Sequence, residues 1–250
     1  MAALPVGSME VMGPHLPVGS KMFAAKALAE ALCKEHGGLC LPAIPLSPIT
    51  GAKDQGGVDI DCQVLLDYIY DVTCEVFDNG IRRLLIVGSF DELYYIVAET
   101  LQLLDIPAVH IDPLALPLYE ESSHKRYNAV TAGSLKLLGE DELLAKMLAA
   151  NEKCLKEGGY RAPDDEPPIK GLISVTGSTY PSGVFPHFYG ANEYKILPTA
   201  GIDADMAADA INKWVTSQAD ALTALAKYIQ LFPRTKHERG LRTGGVGFED

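Results

Sequence analysis

Four consecutive aliphatic residues running into Gly-Ser, LLIVGS at positions 84–89, constrain this chain more than any other feature of its sequence. An apolar run of that length without polar alternation reads as a strand buried on both faces, the kind found inside a parallel sheet. The neighbouring segments supply what such a sheet requires. "AALPV" (2–6) is a second short apolar run, ended by Gly7 and Ser8. Residues 20–35 are rich in Ala, Leu, Lys and Glu with apolar positions three and four apart, and His36-Gly37-Gly38 stops them as a helix C-terminus should. Further strands are expected at 39–46, 106–112 and 171–176, and further helices at 60–80, 91–104, 139–157 and 203–230. Residues 51–59, "GAKDQGGVD", are a polar loop. Strands alternating with helices imply a largely parallel sheet covered on both sides, an α/β fold built as a three-layer α/β/α sandwich.

Bulk properties narrow the function classes. With 250 residues of which 48% are hydrophobic, the chain buries a sizeable core, read as one domain over 1–232. The tail 233–250 has too few apolar residues to pack alone and is expected to be disordered or packed on a neighbouring subunit. A balance of 21 Lys+Arg against 33 Asp+Glu, net −12, argues against nucleic acid as a partner. Five cysteines without CxxC pairing read as buried packing thiols in a reducing compartment. No basic leader and no apolar run of membrane-spanning length occur, so the expectation is a cytoplasmic protein with no membrane partner.

Ligands of open α/β sheets bind at the carboxyl ends of the strands. Three loops are therefore candidates. Glu10 follows the first strand, and Ser89, Asp91 and Glu92 follow LLIVG. The third, "TGSTYPSGVFPHFYG" at 176–190, offers Ser178, Tyr180, His187 and Tyr189 as substrate-shaping side chains. Each has a plainer alternative: Asp91 and Glu92 as acids complementing a helix dipole, Glu10 as a cap on loop N–H groups, and His110 as a satisfied core histidine. No H-x-H or HExxH spacing links any two histidines.

The stretch "PVGSMEVMGPHLPVGSK" (5–21) resembles the signature of the creatininase (creatinine amidohydrolase) family, P-V-G-S-x-E-Q-H-G-P-H-L-P-L-x-T-D, without a gap. "NGIRRLLIVGSFDEL" and the segment from Pro181 to Val215 extend the resemblance more weakly. It implies a creatininase-like three-layer domain, assembled as a homo-oligomer and usually a hexamer. It also implies a two-metal hydrolase in which zinc or manganese activates water against a cyclic or linear amide.

Residue by residue, that implication breaks. Glu10 matches the family's glutamate ligand, but Met12 stands at its histidine and Lys21 at the aspartate that bridges the metals. Phe90 takes the histidine position of N-G-H, and Glu92 matches the carboxylate two residues later. A further glutamate ligand would fall near "YNAVTAGSLKLL", where no carboxylate occurs between Glu121 and Glu140. A thioether and a phenyl ring do not replace imidazoles toward a divalent cation, and an ammonium repels one. No metal or other cofactor is therefore expected, with a single zinc or manganese as the alternative. The expectation is that Lys21 pairs with Glu10 and Glu92 in the vacated volume.

Three readings stay open. In the first, favoured by the lost ligands, the chain is a pseudoenzyme that binds a small molecule or serves as a structural or regulatory subunit, in a homo-oligomer or beside an intact paralogue. In the second it is a metal-independent enzyme in which Lys21 acts as base or Schiff-base nucleophile and Glu10, His15 or Glu92 moves protons. In the third it remains an amidohydrolase with one metal on Glu10, Glu92 and His15.

Overall fold

The computed structural model describes residues 1–49, 57–89, 108–116, 122–161 and 194–229. Among these residues the sheet has four strands, β1 (Ala2–Val6), β2 (Leu39–Cys40), β3 (Leu84–Gly88) and β4 (Ala108–Ile111), in the order β2-β1-β3-β4. All pairings are parallel, with β1 and β3 in register from Ala2 opposite Leu84 to Val6 opposite Gly88. Both central strands are buried along their whole length, as their unbroken apolar runs require.

Strand alternation sorts those side chains to two faces. Ala2, Leu4, Val6, Leu84 and Ile86 pack against Leu65, Ile69, Val76 and Phe77 of helix α2 (Cys62–Asp78). Ala3, Leu85 and Val87 face the other way, onto Ala25, Leu28, Ala29 and Leu32 of α1 (Ser20–His36). Ile211 and Val215 of α5 (Ala204–Ser217) and Leu222 of α6 (Ala219–Ile229) complete that second core. Helices therefore cover both sides of the parallel sheet. A third apolar cluster joins α3 (Ser123–Leu138) and α4 (Asp141–Glu157) to the loop after β1, through Met12, Leu16, Tyr127, Leu135, Leu144, Met147 and Ile196.

Several expectations are corrected. The strand expected at 39–46 pairs only over Leu39–Cys40, with one bridge from Ile44 to Val6, because Pro42 and Pro45 lack the N–H groups a longer ladder needs. The helix expected at 203–230 is two helices that part at Gln218. Helix α3 was not anticipated: its sequence holds Tyr, Asn, Val, Thr and Gly, all weak helix formers. Tertiary packing overrides propensity there. A Cβ on Gly133 would stand 2.8 Å from the Cβ of Ala207, so the glycine is what lets α3 and α5 touch backbone to backbone. Of the cysteines, Cys33, Cys74 and Cys154 are buried, whereas Cys62 is exposed at the start of α2. The helix expected at 91–104, the strand at 171–176 and the tail at 233–250 lie outside the described residues.

Candidate functional site

The register of β1 and β3 brings their carboxyl ends level, and the loops that leave them form the site. Ser8 and Glu10 follow β1, and Ser89 follows β3; all three are buried. Gly7 has a specific task. A Cβ there would lie 2.3 Å from the Cα of Met22, so only glycine lets the first turn of α1 rest on the exit of β1. That contact puts Lys21 beside Glu10.

The Glu10 carboxylate is held from three directions. Lys21 Nζ lies 2.7 Å from Oε1, and Lys195 Nζ lies 3.2 Å from Oε2. Ser8 Oγ donates to Oε1 at 2.6 Å. The side chains are 3% exposed for Glu10, 11% for Lys21 and 7% for Lys195. Burial alone would raise the proton affinity of such a carboxyl. The two ammonium groups and the Ser8 hydroxyl outweigh it and bring the pKa down from 4.5 to about 2. The alternative role for Glu10, a cap on loop N–H groups, is replaced by this ion cluster. A carboxylate with so low a proton affinity is ionised at all ordinary pH values and is a poor general base. What the cluster offers chemically is fixed charge and ammonium N–H donors.

His15 belongs to a different network. Its Nε2 donates to Asn128 Oδ1 at 2.6 Å, and the ring is 2% exposed. Burial lowers its pKa, against the opposing effect of the Asn128 bond, so the imidazole is neutral at pH 7. Its hydrogen bond goes to α3 rather than to Glu10 or Lys21. Tyr127, one residue earlier on α3, meets Ser20 at 2.8 Å between hydroxyl oxygens. His110 Nε2 donates to the Gly88 carbonyl at 2.9 Å, the structural role anticipated for it.

Of the candidate residues, the structure thus brings Glu10 and Lys21 together, with Ser89 at the same sheet edge, and places His15 on Asn128. Asp91, Glu92, Ser178, Tyr180, His187 and Tyr189 lie outside the described residues. Sequence reasoning missed Lys195, Asn128 and Ser8. A lone cation inside the otherwise apolar "YKIL" was the available signal for Lys195.

A family model described as creatininase, creatinine amidohydrolase, matches residues 1–129, just over half of the chain. The chain belongs to the creatininase family. Creatininase structures also share its fold. A structure titled "Creatininase Mn" is 18% identical, with a TM-score of 0.61 and 90% of each chain covered. A crystal structure of creatinine amidohydrolase is 18% identical, with a TM-score of 0.63, over 90% of this chain and 89% of the other. A mutant creatininase complexed with creatine is 16% identical, with a TM-score of 0.61, over 90% and 91%. No curated protein matches the chain at a significant level.

The described residues do not fit the two divalent ions that the creatininase signature implies. Both oxygens of Glu10 already face ammonium groups, and a dication placed there would meet two like charges at close range. Met12, at the family's histidine position, packs in the apolar cluster with Leu16, Tyr127 and Ile196. Among the described residues, no group of three or more His, Cys, Asp or Glu side chains could hold a metal ion. Nor, among them, is any helix long and apolar enough to cross a membrane.

Proposed function

We propose that this creatininase-family chain holds a small molecule at the Lys21–Glu10–Lys195 cluster without divalent ions and without turning it over. In this reading it is a non-catalytic binding, structural or regulatory subunit, assembled as a homo-oligomer or beside a paralogue whose metal ligands are intact. One observation carries the reading: the carboxylate that corresponds to the family's glutamate ligand has both oxygens paired with lysines. Removing either lysine would leave a buried carboxylate partly uncompensated, the expensive arrangement for such a group. The lysines thus stabilise the anion in the protein as it stands.

Amide hydrolysis is the second reading, favoured by the family match over residues 1–129. Glu10 is too weakly basic to drive it, so Lys21, the more exposed of the two lysines, would be the working group. As a nucleophile Lys21 would serve a different substrate class: its amine would add to the carbonyl carbon of an aldehyde or ketone, and loss of water would give an imine, which borohydride reduces to a stable secondary amine.

Elemental analysis of purified protein, combined with incubation against creatinine and linear amides with and without added zinc or manganese, separates the readings. Sub-stoichiometric metal and no product are expected. Stoichiometric metal together with hydrolysis overturns the proposal; hydrolysis without metal, or an aldehyde or ketone trapped on Lys21 by borohydride, establishes the second reading in its place.

A further inference from the structure

Lys195 reaches Glu10 from 185 positions away in sequence, so something must hold it there. The segment 194–199 is fastened at Tyr194, Ile196, Leu197 and Thr199. Tyr194 N–H donates to the Arg161 carbonyl at 2.9 Å, and its ring lies 5.9 Å from that of Tyr160. Ile196 N–H donates to the Met12 carbonyl at 2.8 Å, which ties the segment to the loop that carries Glu10. Asn128 Nδ2 donates to the Leu197 carbonyl at 2.9 Å and to Thr199 Oγ1 at 3.0 Å. Asn151 forms a reciprocal pair with the Thr199 backbone, Nδ2 to O at 2.8 Å and N–H to Oδ1 at 3.1 Å. Both asparagines are buried.

We infer that 194–199 is a strap that delivers Lys195 to Glu10, and that Asn128 and Asn151 are positioning residues acting through it. The orientation of Asn128 is the informative detail. Its amide nitrogen faces two acceptors, so its oxygen must take a donor, and the neutral His15 supplies one from Nε2. His15 is thereby the far end of a chain that runs from the signature loop through α3 to the strap and back to Glu10. Gly13 completes the fit: a Cβ there would stand 2.6 Å from the Ile196 carbonyl oxygen, so the strap lies directly on the loop's backbone.

This inference rests on the two-cation reading of the site, and the experiment keeps the two apart. The observable is the titration of the Glu10 carboxyl, followed by ¹³C NMR of glutamate-labelled protein. Lys195→Met is expected to raise the midpoint from about 2 by about one pH unit, the loss of one of two close cations. Asn151→Ala is expected to produce the same rise, and to add nothing when combined with Lys195→Met. Thr199→Val, which removes only the hydroxyl that Asn128 reaches, is the milder variant should Asn151→Ala not fold, with a smaller rise in the same direction. Folded strap variants that keep the wild-type midpoint, or a rise that adds to that of Lys195→Met, overturn the strap alone. A Lys195→Met protein that titrates like wild type overturns the two-cation site and the strap with it.

Discussion

Replacing Glu10 by glutamine keeps the shape of the side chain, removes its charge, and leaves two buried ammonium groups facing a neutral amide. The magnitude follows from the carboxyl's own proton affinity. A fall in pKa from 4.5 to about 2 on folding, at about 1.4 kcal/mol for each tenfold change, makes the ionised carboxylate worth about 3 kcal/mol at pH 7. Breaking a buried ion pair by deleting one partner costs about 3–5 kcal/mol, the same size by an independent route. In a chain of this length such a loss lowers the melting temperature by about 6–12 °C. Because the folded pKa lies below the unfolded one, this stabilisation is complete above about pH 5. It is lost as the pH falls through the folded pKa of about 2, and is gone once the wild-type carboxyl is protonated in both states. Urea titrations of wild type and Glu10→Gln at pH 7, 5, 4 and 3 test the reasoning directly. The gap in unfolding free energy should stay level from pH 7 to 5 and then narrow. A gap below about 1 kcal/mol at pH 7, or one that persists unchanged to pH 3, would refute the account of Glu10 as a carboxylate clamped between two cations.

Other expectations follow from single contacts. The double variant Met12→His with Lys21→Asp restores two family donors and removes one ammonium, so isothermal titration with zinc should show binding that wild type lacks; no heat in either protein would count against the alignment at 12 and 21. Gly133→Ala drives a methyl group into Ala207 and should cost about 1–3 kcal/mol, read as a lower urea midpoint with unchanged slope. Ile69→Ala empties a fully buried position between α2 and the sheet and should cost about 2–5 kcal/mol in the same assay. Asp61→Ala removes the carboxylate that accepts from Gln63 N–H at 2.7 Å at the start of α2, for about 1 kcal/mol.

The central sheet was legible because its signal is local. Residues 2–6 and 84–88 announce themselves as double-faced strands, and α1 and α2 carry both period and stop signals. Helix α3 was illegible for the opposite reason: SHKRYNAVTAGSLKLL is rich in weak helix formers, and the close contact with α5 that calls for Gly133 is information that resides in another part of the chain. The site divides the same way. Glu10 and Lys21 lie on one continuous motif, so their partnership could be anticipated from eleven residues of spacing. Lys195 and Asn128 enter through tertiary contacts alone. A motif fixes the loop that carries a pocket and says nothing about which distant backbone segment closes over it.

The absent side chain at position 7 has a broader consequence. Because α1 leans on bare main chain where β1 ends, the walls around positions 8, 10 and 21 are set by steric contact between peptide units and by sheet pairing, both indifferent to whatever charges the pocket holds. Such an enclosure tolerates a change of tenant: aspartate can give way to lysine on the same Cα without rebuilding the room.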